Sequence, residues 1–472
     1  LPALAGRAAL VLALAGLTVL PWSLRNTREL GQFVFVSTNG GITPQSFIVG
    51  RYATAGQMVA PAMSYGSAGK TPLAYLVYDI ALSAIARATL SRVIINDNYV
   101  TLGASGASWG RPVTGDLSGY AWVDYRDGTQ TTAHPDMLAA FGGAATRPWS
   151  ADMVGRGVCE AVLRFKYDRE RYNSWPTVRF ELLGIPLYDP RADTSVGGSG
   201  PQRWANPSTW AQTENLVVII YNIMRGITLE DGSVWGCRTP AEDLPLSSWM
   251  AAMNECDRSI ALEAGGTEPQ FRGGYEIALS SEPQEVINEL KKACAAEMAE
   301  FGGVWKIRVG PPALPVYFLT DDTIIFTAPE ELDQFPGLAA TYNGVEASYP
   351  EPASLWKSKD APARYNATWE AEDGGQRLIA GLQFPACPYQ SQVQRLMAAA
   401  IKDERRHRRH TLTLPPSAAI LEPLDTISWT SARNGYVGKV FEVASITDTV
   451  MTANQFLTIR ECDPSDYDWV PS

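Results

Sequence analysis

Four segments near the end of the chain alternate apolar and polar side chains with a period of two. They are residues 410–414, 426–430, 437–446 and 454–460. This alternation is the pattern of half-buried β-strands, in which successive side chains point to opposite faces. Pro415 and Pro416 end the first segment, because proline cannot donate a hydrogen bond to a sheet ladder. The pattern predicts an antiparallel sheet.

A helix is predicted just before this sheet, over residues 391–409. Gln392, Leu396 and Ala399 recur at helical spacing, so that one stripe can pack while the charged residues on the other faces stay in water. We expect this arginine-rich helix to back the sheet.

Length and composition narrow the possible classes of protein. A chain of 472 residues suggests about three domains. Hydrophobic residues make up 46% and charged residues 19%, which argues against long disordered regions. The 14 Trp and 19 Tyr supply the kind of area that interfaces use, although an aromatic-rich β-domain shows the same excess. The net charge of −11 argues against a general nucleic-acid binder, yet it suits a conduit in which DNA slides without adhering.

Six cysteines lie far apart in the chain and form no C-x-x-C pair. Neither a structural zinc site nor a redox motif is therefore predicted, and we interpret the cysteines as buried free thiols. They are Cys159, Cys237, Cys256, Cys294, Cys387 and Cys462.

One apolar run, residues 8–20, follows Arg7 and ends at Pro21. Its 13 residues fall short of the roughly 20 that a spanning helix needs. Three interpretations are open: a signal peptide, a helix buried against other subunits, and an amphiphilic segment that contacts a membrane. We favour the buried helix.

The order of predicted elements divides the chain into segments. The turn Asn96-Asp97 closes a predicted hairpin, and three further helices are predicted, over residues 214–226, over 245–257 with Ser247 or Ser248 as its cap, and over 282–298. The predicted segments are an apolar helical start over 1–31, a discontinuous first β-domain over 32–104 plus 177–191, an inserted α+β segment over 105–176, a linker over 192–213, a second α+β domain over 214–335, and a C-terminal β-domain over 336–472 that holds the arginine-rich helix.

Six short motifs follow one another along the chain: Gly50-Arg51, Gly184-Ile-Pro-Leu-Tyr-Asp-Pro-Arg191, Tyr221-Asn222, Glu268-Pro-Gln-Phe-Arg272, the stop Pro311-Pro312 and the closing Arg460-Glu-Cys-Asp-Pro-Ser-Asp-Tyr-Asp-Trp469. In this order they resemble the motifs of the central tail hub, or tip attachment, proteins of long-tailed bacteriophages and gene transfer agents. Leu216 departs from the resemblance, because the family has a proline there, after Asn215.

The resemblance implies a β-dominated α+β fold of several antiparallel barrel-like or sandwich-like domains with peripheral helices, assembled as a trimer. It further implies a structural role in the virion tail tip, where the trimer adapts sixfold tail rings to a threefold tip, lines or closes the ejection channel, and is assembled in the bacterial cytoplasm. The implied partners are the distal tail ring protein, the tape measure protein, tail fibre or other tip proteins, and DNA in transit. No catalytic residue, cofactor or metal is implied.

Enzymatic alternatives have weak support in the sequence. The histidines are His134, His407 and His410, and the last two are interpreted as lying on a solvated face. Residues 66–71 form an incomplete phosphate loop and are interpreted as a turn. Glu370, Glu372 and Asp373 could imitate the carboxylate pair of a glycosidase, but adjacent acids more often face solvent. A tail-associated cell-wall hydrolase and a receptor-binding tip protein remain as alternatives.

Overall fold

Strand pairing dominates the computed structural model, which describes residues 44–469 except 107, 173, 264, 335–340 and 450. The chain divides into two compact units. Of the described residues, the first holds 44–186 together with 228–233 and 276–281, and the second holds 187–227, 234–275 and 282–469.

The first unit contains ten strands and one helix, α1 (Pro135–Phe141). The strands are β1 (Ser46–Thr54), β2 (Gln57–Met58), β3 (Met63–Ala68), β4 (Thr71–Ser83), β5 (Thr89–Ile95), β6 (Asn98–Val100), β7 (Arg111–Pro112), β8 (Ala121–Arg126), β9 (Cys159–Lys166) and β10 (Val178–Leu183).

Two sheets pack face to face in this unit. One runs β1-β10-β5-β6, and the other runs β2-β4-β9-β8-β7 with β3 beside β4. Their shared core takes Ile48, Val93 and Phe180 from the first sheet and Ile80 and Leu163 from the second. On the outer face of the second sheet, Met137 and Phe141 of α1 form a smaller cluster with apolar residues of β4 and β9. The arrangement is that of a β-sandwich.

The turn between β5 and β6 confirms the hairpin predicted at Asn96-Asp97. Ile95 pairs with Asn98, and both central residues adopt positive φ angles, 50° at Asn96 and 57° at Asp97. A two-residue turn of this kind matches the right-handed twist of strands, and Asn and Asp tolerate the left-handed conformation it needs.

The motif that begins at Gly184 has glycine as its first residue because two backbone segments approach closely there. The Gly184 N–H donates to the Gly50 carbonyl at 2.6 Å, and a Cβ atom at position 184 would lie 2.3 Å from the Ile48 carbonyl oxygen. No side chain fits at this distance, so glycine is required there because of space.

We predict that Gly184→Ala lowers the free energy of unfolding by about 1–3 kcal/mol, because the backbone of β1 must move to admit the methyl group. Gly143→Ala is the matched control, since its Cβ would meet nothing within 4 Å. Urea unfolding of both variants measures the difference. Equal stability of the two variants would contradict the close approach.

The second unit contains five helices, which are α2 (Leu216–Arg225), α3 (Leu246–Cys256), α4 (Pro283–Ala293), α5 (Ala367–Glu372) and α6 (Gln390–Glu404). The remaining strands are β11 (Ile227–Thr228), β12 (Val234–Trp235), β13 (Ser259–Ala261), β14 (Thr267–Pro269), β15 (Gly274–Ala278), β16 (Ala296–Phe301), β17 (Val304–Val309), β18 (Tyr317–Thr320), β19 (Glu331–Asp333), β20 (Gly344–Glu351), β21 (Lys357–Asp360), β22 (Arg364–Tyr365), β23 (Ile379–Gln383), β24 (Arg409–Leu414), β25 (Thr426–Ser431), β26 (Tyr436–Thr449) and β27 (Asn454–Glu461). Of these, Thr228 of β11 and the last three residues of β15 fall in the first unit, where the end of β15 lies beside β1.

The four alternating segments at the end of the chain form strands β24 to β27, as predicted. They belong to a six-stranded sheet in the order β18-β25-β26-β27-β24-β19. All its pairs are antiparallel except β18 with β25. Trp429 and Phe441 are fully buried at the centre of its core.

The arginine-rich helix differs from its prediction in two respects. It ends at Glu404 instead of residue 409, because the chain must turn before β24 begins at Arg409. It also packs against β20 of a second sheet, which joins β20 to β21, β22 and β23. The helix therefore does not simply back the six-stranded sheet.

Two other helix predictions need correction at their ends. Helix α3 has Pro245 at its N-cap, and the Ser248 hydroxyl donates to the Pro245 carbonyl, so neither predicted serine caps the helix. Helix α4 ends at Ala293, and the residues that follow form β16 instead of a continued helix.

The fold is β-dominated α+β with several sheets, as predicted. Among the described residues no sheet closes into a barrel, since each strand order runs between two open edges. Of the two predicted alternatives, barrel-like and sandwich-like domains, the sandwich-like one describes the first unit.

The predicted segment boundaries remain predictions. Strands β8 and β9, from the segment predicted as an insertion over 105–176, share a sheet with β4. The apolar start over residues 1–31 lies outside the described residues. No helix in the described part of the chain is long and apolar enough to cross a membrane.

Candidate functional site

A buried ion pair ties the arginine-rich helix to β14. The Arg395 guanidinium donates to Glu268 Oε1 at 2.6 Å and to the Gln270 carbonyl at 2.7 Å. Both charged side chains are more than nine-tenths buried. The Ser391 hydroxyl donates to the same carboxylate oxygen at 2.6 Å, and Arg272 reaches Oε2 at 3.2 Å. The pair and these neighbours are called the Glu268 cluster below.

The Glu268 carboxylate is held in its charged form by this cluster. Burial alone would raise the pKa of Glu268, but hydrogen bonds from Ser391 and Arg395, together with both arginine charges, lower it below its usual value. The helix is fixed here by a further contact, because Gln392 accepts from the Arg272 N–H and donates to the Ala293 carbonyl. Glu268 and Arg272 both belong to a motif on which the family resemblance was based.

A second pair of motifs also meets in this unit. The side chain of Asn222, in α2, accepts from the Tyr188 N–H at 3.1 Å and donates to the Tyr188 carbonyl at 2.8 Å. The Tyr188 hydroxyl donates to Asp193 at 2.7 Å. Asn215 caps the same helix by accepting from the Val217 and Val218 N–H groups, so Leu216 occupies a first turn that is already capped.

The end of the arginine-rich helix is neutralised within the chain. Two arginines that follow it pair with acids at the end of β27 and just after it, Arg406 with Asp466 at 2.7 Å and Arg408 with Glu461 at 3.0 Å. Arg405 pairs at 2.9 Å with Asp373, just after α5, and Asp403 of the helix itself accepts from Arg460 of β27 at 2.6 Å. We interpret this arginine cluster as a set of ion pairs that stabilises the fold, and not as a basic surface that binds nucleic acid.

An open cleft of about 730 Å³ lies beside the start of α6. Prolines and aromatic rings form much of its lining, including Tyr349, Pro388, Tyr389 and Trp469. The Arg364 guanidinium lies 5.1 Å from the centre of the Trp469 ring. The lining also holds the carboxylates of Glu263 and Glu351, and Glu351 forms an ion pair with Lys359 at 2.8 Å. A lining rich in prolines and aromatic rings is suited to contact with a polypeptide.

The three histidines have structural surroundings. His134 caps α1, where its Nδ1 accepts from the Met137 N–H at 3.4 Å. In the neutral ring the proton must then lie on Nε2, which is 3.0 Å from Asp124 Oδ2. His407 is half-buried beside Arg405 and Arg406 in a cleft of about 340 Å³, and burial lowers its pKa.

His410 is a core residue of β24, so the prediction of a solvated face is wrong for it. Its Nε2 lies 3.0 Å from the Tyr436 hydroxyl, and its ring packs against Trp429 with the ring centres 4.7 Å apart. Burial, with Arg433 and Arg408 nearby, lowers the pKa of His410 to about 4. The alternating pattern of residues 410–414 already placed it on the same face as Leu412.

One acidic pair was missed from the sequence because its members lie 81 residues apart. Asp79 of β4 and Glu160 of β9 are both buried, and Arg126 donates to Glu160 at 2.8 Å. Burial raises the pKa of Asp79 well above its usual value, and the Glu160 charge adds to this rise. The pair resembles an acid–base site, but both carboxyl groups are enclosed and thus out of reach of a polymeric substrate.

Among the other candidate groups, Glu372 lines the same cleft as His407 and pairs there with Arg405 at 3.2 Å. Residues 66–71 form the tip of the β3–β4 hairpin, as the predicted turn requires. Glu370 pairs with Arg377, and Asp373 pairs with Arg405. In the described ranges, no group of three or more His, Cys, Asp or Glu side chains could hold a metal ion. The six cysteines are free thiols, and all except Cys237 are buried.

We predict that Arg395→Met and Glu268→Gln each lower the free energy of unfolding by about 3–5 kcal/mol, since each leaves a buried charge without its oppositely charged partner. The double variant should lose less than the sum, because the two side chains act on one another. Chemical unfolding of the four proteins measures this coupling.

Lys292→Met is the control for this cycle, because Lys292 pairs with Glu289 at an exposed position. Its cost should stay below about 1 kcal/mol. Additive losses in the Glu268 cluster would contradict the proposed coupling.

We also predict that acid destabilises the six-stranded sheet through His410. Between pH of about 6.5 and 4 the unfolded chain binds a proton at His410 and the folded chain does not, so the free energy of unfolding falls as the pH is lowered. His410→Phe should show a shallower fall, measured by urea unfolding across this range. An unchanged slope would contradict the buried neutral ring.

Comparisons with known proteins agree with the predicted resemblance. Residues 282–446 match a family described as "Putative phage tail protein". No curated protein sequence matches the chain. A chain of the virion of a native gene transfer agent particle is similar in structure, with a TM-score of 0.60, 15% identity, and coverage of 91% of this chain and 88% of that chain.

Two tail proteins also align, with much lower structural similarity. A tail protein from Neisseria meningitidis MC58 has a TM-score of 0.32 and 9% identity over 90% of this chain and 99% of its own. The 43 kDa tail protein of prophage MuSo2 from Shewanella oneidensis has a TM-score of 0.31 and 9% identity over 87% and 94%. Together with the family match, the gene transfer agent chain confirms the resemblance to the phage tail family.

Proposed function

We propose that this chain, which carries a phage tail protein domain over residues 282–446, is a structural hub protein of a phage-type tail tip. The observation that carries the proposal is the fold shared with a gene transfer agent virion chain over 91% of this chain and 88% of that one. A match over nearly the full length of both chains supports a comparable architectural role.

The proposed assembly is a homotrimer in which β18 takes part in the subunit interface. This strand is at the edge of the six-stranded sheet, and three apolar residues alternate along it or just before it. Leu314, Val316 and Phe318 expose 86%, 51% and 74% of their surface. Open edges with exposed apolar side chains tend to pair with another chain, so a partner subunit would stabilise this edge.

The charge distribution suits a channel. The arginines that follow the arginine-rich helix, such as Arg406 and Arg408, are paired with acids within the chain, and the whole chain carries a net charge of −11. A wall of this kind repels phosphates, so DNA and the tape measure protein could pass without adhering. The proposed neighbours are the distal tail ring protein, the tape measure protein and tail fibre or other tip proteins, in a virion assembled in the bacterial cytoplasm.

A non-enzymatic role is supported by the positions of two histidines and two buried acids among the described residues. His134 caps a helix, and His410 is buried in the core of the six-stranded sheet. Asp79, whose pKa is raised, and Glu160 are both buried. None of these groups lines the proline-rich cleft beside α6. Of the two carboxylates that do line that cleft, Glu263 and Glu351, the second is held in an ion pair with Lys359.

We predict that Phe318→Glu prevents self-association while leaving each chain folded, because it adds a charge to an apolar edge. Ile420→Glu is the control, since Ile420 is also exposed and lies outside this edge. Analytical ultracentrifugation should give the unmodified mass for the control and a single-chain mass for Phe318→Glu. Equal masses for the two variants would contradict an interface at β18.

The tail role itself is tested by deleting the gene from a particle-producing strain and restoring it on a plasmid. Particles without the protein should lack a normal tail tip, and a tagged copy should be detected at the tip by immunogold labelling. Normal particles from the deleted strain would contradict the proposed function.

A further inference from the structure

An arginine on the outer face of the first unit lies among four aromatic rings. The Arg164 Cζ atom is 4.0 Å from the ring centre of Tyr75, 4.6 Å from Trp122, 5.5 Å from Trp109 and 5.8 Å from Tyr65. Four rings around one guanidinium orient it and limit its motion. Arg164 and these rings are called the arginine cage below.

The cage is built by the strands that carry it. Arg164 of β9 lies between Val77 of β4 and Trp122 of β8, which pair with it on either side. Gly66 has a φ of +66°, and a Cβ there would lie 3.2 Å from the Tyr75 ring, so the turn leaves room for that ring. The Asp136 carboxylate fixes the Trp109 backbone by accepting from its N–H at 2.7 Å.

The guanidinium lacks an acidic partner. Among the described residues no carboxylate lies within ion-pairing distance of Arg164, and its buried Nε has no hydrogen-bond partner. Other half-buried arginines of this unit, such as Arg126, pair with a carboxylate. A half-buried cation with an unsatisfied donor can gain from a carboxylate that arrives with a partner.

An exposed apolar side chain, that of Leu73, is close to the cage in the sequence. Leu73 precedes Tyr75 by two residues, exposes 64% of its surface and adopts a φ of +50°. A leucine in the left-handed region is strained, and strain of this kind is common where a segment meets a ligand or partner. Tyr, Trp and Arg are also the residues that dominate binding energy in protein interfaces.

We propose that the arginine cage docks an acidic segment of a different tail protein, with one partner carboxylate on Arg164 and an apolar residue against Leu73. This proposal rests on the proposed function. A second copy of the chain is disfavoured because the apolar edge at β18 already accounts for self-association. A nucleic acid is disfavoured because Asp124 and Asp136 lie on or beside the same face and would repel a line of phosphates.

The test places the photo-crosslinking residue p-benzoylphenylalanine at position 73 in particles produced by the complemented deletion strain. Illumination should join the chain to another tail protein, and mass spectrometry should find Asp or Glu within a few residues of the linked site. In the same background Arg164→Gln should reduce the yield of this product about tenfold or more, as expected for an interface anchor.

Arg169→Gln is the matched control, because Arg169 is exposed in the same unit and bonds only to Tyr167 in the described part of the chain. It should leave the yield unchanged. Thermal unfolding of each purified variant checks that the fold is retained, and Arg164→Lys should give an intermediate yield because it keeps the charge without the planar stacking.

Several outcomes would overturn the proposal. They are a crosslink to a second copy, a crosslink to DNA, a linked peptide without a carboxylate, and particles that contain the chain but give no intermolecular product. Particles that lack the chain altogether would overturn both this proposal and the proposed function, and immunodetection of the chain separates that case from the others.

Discussion

The buried ion pair between Glu268 and Arg395 is the interaction on which the second unit depends. It joins β14 to a helix that lies more than 120 residues later in the sequence, and Gln392 extends the contact to the end of α4. A buried charge is costly unless its partner is held in place, so the pair favours one position of the helix over any other. The helix then packs against β20, and ion pairs at its end reach the six-stranded sheet.

This arrangement connects the charge of the chain to its role. Arg405, Arg406 and Arg408, from the basic run in the sequence, form ion pairs within the chain, whose net charge is −11. Three features of the described residues offer apolar or aromatic contact area: the β18 edge, the proline-rich cleft and the arginine cage. A protein with several such surfaces is suited to be a subunit of a larger assembly.

Local patterns predicted much of the fold. Alternation located strands β24 to β27, and the Asn96-Asp97 pair located a hairpin, because both depend on residues that are adjacent in the sequence. Contacts between distant residues were not predictable in this way. The Asp79–Glu160 pair, the partner of Arg395 and the aromatic rings around Arg164 all arise from strand register and helix packing. The motifs at Gly184 and Glu268 were recognised from a resemblance, and the structure supplies their physical reasons: a backbone contact and a buried charge.

The mass of the full chain in solution, measured by light scattering together with an assay on purified peptidoglycan, separates a structural trimer from a hydrolase. A structural trimer should have a mass near three chains and should release no peptidoglycan fragments. A folded single chain that persists at high concentration and degrades peptidoglycan would contradict it.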